Sequence, residues 1–215
     1  MKTATQLFID QFFANHVELL PLQESILEVC KLLINAFQNG NKLLLCGNGG
    51  SCADCDHIAG ELLKGFLRKR PLPAALKATM AAHYGDRGVQ IAEQLQVGLP
   101  VISLTAHNGA ISAFANDVDP TLIYAQQVLA YGKPGDVLLG ISTSGNAKNV
   151  AAAVMTANAL GLSTIGLTGK DGGSLAKLSS LALIMPKAET YQIQEDHMAV
   201  YHLLCAIVES ELFDA

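Results

Sequence analysis

Two short loops of small residues constrain this chain more than anything else in it. Gly47-Asn48-Gly49-Gly50-Ser51 follows the aliphatic run Leu43-Leu44-Leu45-Cys46, and Ser142-Thr143-Ser144-Gly145-Asn146 follows Val137-Leu138-Leu139-Gly140-Ile141. A helix-compatible stretch comes after each. Further strand-like runs near 100–104, 163–167 and 181–185 join those near 42–46 and 136–141, with helix-compatible segments at 51–66, 120–131 and 146–160. Such alternation gives an α/β fold, a parallel sheet with helices on both faces. Two helices precede the sheet: residues 3–20 carry Phe8, Phe12 and Leu19, and residues 22–39 carry Ile26, Val29, Cys30, Leu33, Ala36 and Phe37, at helical spacing, with Asn39-Gly40-Asn41 as a stop. The stretch from about Ile193 to Leu212 reads as one long helix.

A loop of small residues between a strand and a helix exposes backbone N–H groups at the positive end of a helix dipole, and its hydroxyls add donors. Gly49, Gly50 and Ser51 in the first loop, and Ser142, Thr143 and Ser144 in the second, are therefore candidates for gripping one phosphorylated ligand from two sides. The common nucleotide motifs do not fit. Gly47-Asn48-Gly49 begins a G-x-G-x-x-G, but Cys52 takes the last glycine position and no acidic residue ends the strand near Pro100 to Leu104. Gly140 to Gly145 has Walker-A spacing, but Asn146 and Ala147 stand where Lys and Ser/Thr should be.

No linker divides the 215 residues, so a single domain spanning 1–215 is expected. Half the residues are hydrophobic and 15% are charged, enough for a large core with surface left over for subunit contacts. A net charge of -5 argues against a general nucleic-acid partner. Met1 to Phe13 has no basic flank before an apolar core, and no apolar run is long enough to span a bilayer, so a cytoplasmic protein with no membrane partner is expected. Cys30, Cys46, Cys52, Cys55 and Cys205 are an odd set with no disulfide pattern; Cys52-Ala53-Asp54-Cys55 is a lone C-x-x-C, read as structural thiols ahead of redox or zinc chemistry.

The polar residues able to do chemistry lie near the first loop and in the last helix. His57 and Glu61 are four apart, about 40° around a helix, and can act on one ligand or metal; an exposed i, i+4 contact is the plainer reading. Gln194, Glu195, His197 and His202 interrupt an apolar stretch, where His and carboxylate supply zinc ligands or acid–base pairs, although each histidine alone is more often structural.

Cys46 to Ser51, Gly135 to Asn146, Leu167 to Gly173, and Ile193-Gln194-Glu195 with His197 and His202 together resemble the phosphoheptose isomerase branch of the sugar isomerase (SIS) domain family, over nearly the whole chain. The resemblance implies a five-stranded parallel, flavodoxin-like αβα sandwich, assembled as a homotetramer, that isomerises sedoheptulose 7-phosphate. It implies phosphate binding by Ser51, Ser142, Thr143 and Ser144, a sugar region lined by Asn48, Asp117 and Gln194, and Zn²⁺ held by His57, Glu61, Gln194 and His202. Glu61 and His202 are the implied acid–base pair.

The chain departs from that family in several places. Ala147 stands where a serine is frequent, Gly65 replaces a basic residue with Lys64 beside it, and Tyr191-Gln192 replace an acidic-basic pair. Residues 72–99 form an insertion, with Gly85 to Gln96 expected as an added helix or flap near the site. Gln194 and His202 are eight residues apart, about 12 Å along a helix, so one straight helix hardly brings both to one ion. Completion of the site across a subunit interface is the expectation. The alternatives are an isomerase of another phosphosugar and a non-catalytic regulator of the type that binds a replication initiator; His202, which that type tends to lose, favours catalysis.

Overall fold

The structure is a computed structural model that describes residues 2–213; Met1, Asp214 and Ala215, included in the single-domain expectation, lie outside the described residues. Strands β1 (Leu43–Gly47), β2 (Val101–Ser103), β3 (Val137–Ser142), β4 (Ser163–Gly169) and β5 (Leu181–Met185) form one parallel sheet in the order β2-β1-β3-β4-β5. From β1 the chain builds β2 on one side and then crosses back to β3 on the other. In such an open sheet the crevice for ligands lies beyond the carboxyl ends of the two strands where direction reverses. The register sets Gly47 level with Ile141, so the two Gly/Ser loops leave the sheet side by side.

The helices are α1 (Thr3–Asn15), α2 (Gln23–Gln38), α3 (Gly50–Leu63), α4 (Ala74–Gln94), α5 (Asn108–Asp117), α6 (Ile123–Tyr131), α7 (Lys148–Ala159), α8 (Gly173–Leu178) and α9 (Thr190–Phe213). Alternate strand residues face opposite layers. Leu43, Leu45, Leu139 and Ile165 pack against residues of α1, α2, α3 and α9, such as Ile9, Ile26, Ile58 and Leu204. Leu44, Cys46 and Leu138 pack against Tyr124, Val128, Val150 and Leu175 of α6, α7 and α8. Truncating one of these leucines to alanine costs about 2–5 kcal/mol.

Two boundaries differ from expectation for local reasons. The first helix stops at Asn15 and not near 20, because His16 leaves helical geometry (φ -127°, ψ 62°) and the 3-10 segment Val17–Leu22 contains Pro21, which disfavours α geometry in the residue before it. The insertion is helical from Ala74, well before Gly85. At Gly85 (φ 57°, ψ -141°) the helix breaks, and beyond the break Gly88 sits so close to the Met80 carbonyl that a β-carbon would not fit. The result is a helical hairpin whose base is closed by an antiparallel bridge between Pro71 and Gln96 and by the Val97 amide donating to the Arg70 carbonyl (2.7 Å). Among the described residues no helix is long and apolar enough to cross a membrane.

Candidate active site

The first loop is shaped by Gly49, whose φ of 58° and ψ of -123° suit only glycine, and α3 starts at the next residue. Asn48 and Asn149, in the first turn of α7, exchange amide hydrogen bonds of 2.8 and 2.9 Å, which tie the two loops together. The Tyr124 hydroxyl donates to the Gly47 carbonyl (2.6 Å) from below. In the second loop Gly145 (φ 67°) lies against the Gly172 carbonyl, with no room for a side chain. There the Leu175 amide donates to the Gly145 carbonyl (2.8 Å) and the Ser174 amide to Asn146 Oδ1 (3.1 Å), so the turn after β4 braces the loop after β3. Ser51 and Ser142 are buried; Thr143 and Ser144 are half-buried at the mouth of the crevice.

Asp54, His57 and Glu61 share one face of α3, and that face meets α9. His57 Nε2 lies 3.4 Å from Glu61 Oε1 and 3.3 Å from His202 Nε2. Lys64 Nζ approaches the other oxygen of Glu61 (3.1 Å), and the Phe66 ring stacks on His202 with centroids 5.6 Å apart. Burial, and then the neighbouring His57, push the His202 imidazole below its ordinary pKa, while Glu61 opposes the shift. Burial raises the Asp54 carboxyl, opposed by the Tyr201 hydroxyl and by His57. Residues 64–70 run over this cluster as a strap. The amides of Phe66 and Leu67 donate to Glu209 (2.8 and 2.7 Å), as does Arg70 Nε (2.8 Å), and the Arg70 guanidinium lies 4.5 Å over the Phe213 ring.

The structure thus brings His57, Glu61 and His202 together within one chain. It does not bring Gln194 of the same chain there. That amide packs onto Gly50, beside the first loop, because α9 is continuous and eight residues of it span about 12 Å. Asp117 stands exposed at the end of α5, hydrogen-bonded to Asn116 (2.9 Å) and not to either loop. His197 points into the core, its Nε2 3.2 Å from the Thr168 carbonyl, and desolvation lowers its pKa to about 4. Cys55 is buried and burial raises its thiol; all five cysteines are free. Sequence reasoning missed Asp54, Tyr201, Phe66 and the Arg70–Glu209 pair. Only Asp54, one turn before His57, left a readable trace.

A tetrahedral zinc ion with bonds of about 2.0–2.1 Å spaces its donors about 3.4 Å apart. The two edges at His57 have that length and an N/O donor set that suits the ion. Among the described residues no group of three or more His, Cys, Asp or Glu side chains is arranged to hold an ion by itself. The two edges share only His57, and Lys64 competes for the Glu61 carboxylate.

The two Gly/Ser loops leave a parallel αβα sheet at its switch point, beside a His/Glu cluster between α3 and α9, and the SIS domain family pattern matches residues 18–98 and 78–169. The phosphoheptose isomerase of Trichlorobacter lovleyi is 38% identical over 213 residues, 97% of this chain and 95% of that protein. The chain belongs to the phosphoheptose isomerase branch of the SIS domain family. A solved phosphoheptose isomerase from Francisella tularensis is similar with a TM-score of 0.76 at 29% identity, covering 98% of this chain and 100% of that one. One from Neisseria gonorrhoeae gives 0.74 at 30% identity, covering 96% and 97%.

Proposed function

We propose that this protein interconverts sedoheptulose 7-phosphate and the corresponding aldose, D-glycero-D-manno-heptose 7-phosphate. The observation that carries the reading is the Glu61–His57–His202 cluster, set where the helix that begins at the first Gly/Ser loop, α3, meets α9. The 7-phosphate is held by Ser51, Ser142, Thr143 and Ser144 with the N-termini of α3 and α7, and Asn48 and Asp117 line the sugar. Ketose–aldose exchange requires removal of a proton beside the carbonyl, an enediol, and return of a proton to the neighbouring carbon. Glu61 and His202 are the pair for these transfers. Burial and the neighbouring His57 hold the His202 pKa below its ordinary value, which favours the neutral imidazole.

His57, Glu61 and His202 would hold Zn²⁺ in the assembled enzyme, with Gln194 supplied by a neighbouring subunit. Held there, such an ion would supply polarisation of the substrate carbonyl and stabilisation of enediolate charge. Exposed Leu7, Val17, Leu129 and Met155 supply apolar surface for assembly into a homotetramer, and the cytoplasm is the proposed compartment. Because Glu61 and His202 both meet His57 in one chain, the informative subunit mixture pairs Gln194→Ala with Glu61→Ala. Recovered activity on exchange supports a shared site, and none counts against it.

Turnover of purified, metal-analysed protein with sedoheptulose 7-phosphate, followed by NMR, tests the main reading. Aldose 7-phosphate formation that is abolished by chelation and restored by zinc supports it. No turnover in a folded, zinc-loaded oligomer overturns it in favour of another phosphosugar, for which Ala147 and the hairpin at 74–94 are the departures to examine first, or of a binding role.

A further inference from the structure

Behind His57, on the side away from Glu61 and His202, lies a pair of buried polar groups that the proposed reaction does not use. The Tyr201 hydroxyl is 2.9 Å from His57 Nδ1 and donates to Asp54 Oδ1 at 3.3 Å. Tyr201 is 1% exposed and Asp54 8%, and the second oxygen of Asp54 is buried without a protein partner. A phenol has one proton and an ionised carboxylate has none. If Tyr201 gave its proton to His57, the Asp54 carboxylate would be buried with no donor, which is the costly arrangement. The other arrangement keeps a donor on Asp54: Tyr201 donates to Asp54 Oδ1, and its oxygen accepts the Nδ1–H of His57, which leaves His57 Nε2 without a proton where it faces Glu61 Oε1 and His202 Nε2.

We infer that Asp54 and Tyr201 are positioning residues that lock His57 in the Nδ1–H tautomer, so that its Nε2 lone pair faces Glu61 and His202 as a ready cation ligand. This rests on the reading of His57 as a ligand in the proposed site. An outer partner of this kind fixes the ring's orientation as well as its tautomer, and its loss typically weakens metal binding about 10–100-fold. The two residues come from different helices, α3 and α9, so the relay also registers His57 against the helix that carries His202.

The test is a long-range ¹H–¹⁵N correlation spectrum of the full-length, metal-stripped protein labelled with ¹⁵N-histidine. The expected result is a single His57 tautomer, protonated on Nδ1. In Tyr201→Phe a mixture should appear, with zinc affinity by chelator competition falling about 10–100-fold and a lowered thermal midpoint, because Asp54 loses its donor. Protonation of His57 on Nε2 in the unaltered protein overturns the inference, as does a Tyr201→Phe variant with unchanged tautomer and affinity. Should that variant fail to fold, the spectrum of the unaltered protein decides alone. The readout uses no substrate, so an intact Nδ1–H tautomer without heptose turnover defeats only the proposed reaction, and turnover with the wrong tautomer defeats only the relay.

Discussion

Two polar clusters join the strap at 64–70 to α9, and they are filled in opposite ways. At Arg70 and Glu209 the carboxylate accepts from two backbone amides and from the guanidinium, and both side chains of the ion pair are buried. At His57, Glu61 and His202, one helical turn or more away, half-exposed nitrogens and a carboxylate face one another with a single lysine between them and neutrality. In the first the carboxylate is saturated and spent on holding the chain, although Arg70 Nη2 is buried without a partner. The second is electron-rich and unsaturated, which is the condition of groups that await a proton, an ion or a substrate. Residue types alone do not separate the two; the number of donors around each carboxylate does.

The contrast breaks most sharply under substitution of the open cluster. Glu61→Gln and His202→Asn should each lower kcat by about 10²–10⁴, the range for a positioned proton carrier, with no loss of thermal stability; near-normal turnover in either removes that residue from the acid–base pair. The closed cluster should respond the other way. Arg70→Leu leaves the Glu209 carboxylate buried without its partner and should cost about 3–5 kcal/mol in urea denaturation, and a variant with an unshifted midpoint would show that the pair holds nothing.

A third, intermediate case lies on the same helix. His197 is buried, with a pKa of about 4 against an ordinary 6.5, so between these values the unfolded chain binds the proton and the folded chain does not. Stability should be unaffected by this group above pH 6.5 and fall by about 3 kcal/mol as pH drops towards 4. Replacement by Gln should flatten that part of the stability–pH curve, and an unchanged slope would place its cause elsewhere. The smallest effect is expected between the loops, where Asn149→Ala removes one neutral amide pair worth about 0.5–1.5 kcal/mol; KM should rise several-fold with kcat nearly constant, and a change in kcat alone would contradict a purely positional role.

What was legible in the sequence is what local pattern encodes. The aliphatic runs Leu43 to Cys46 and Val137 to Ile141 are buried on both faces and read as strands without ambiguity, and the glycines after them mark the loops. His57 and Glu61 share a helix, so their approach follows from spacing. Helical rise likewise showed that Gln194 and His202 of one chain cannot meet. Illegible were the contacts made between elements: that α9 lays His202 and Tyr201 on α3, and that Glu209 receives a strap from 142–143 residues away in sequence. The short helices α5 and α8 carry too few buried positions for their periodicity to register, and α5 has none.

The hairpin of residues 74–94 leaves and re-enters the body at Pro71 and Gln96, which are already bridged to one another. Its two ends are thus a fixed socket. Whatever is plugged in, longer, shorter or of another sequence, is held by the strap that carries Phe66 onto His202 and by the end of α3, where the Leu99 amide donates to the Leu62 carbonyl (2.9 Å). Such a socket lets the hairpin be exchanged without rebuilding the loops after β1 and β3, and it offers the protein engineer a graft point one strap away from His202.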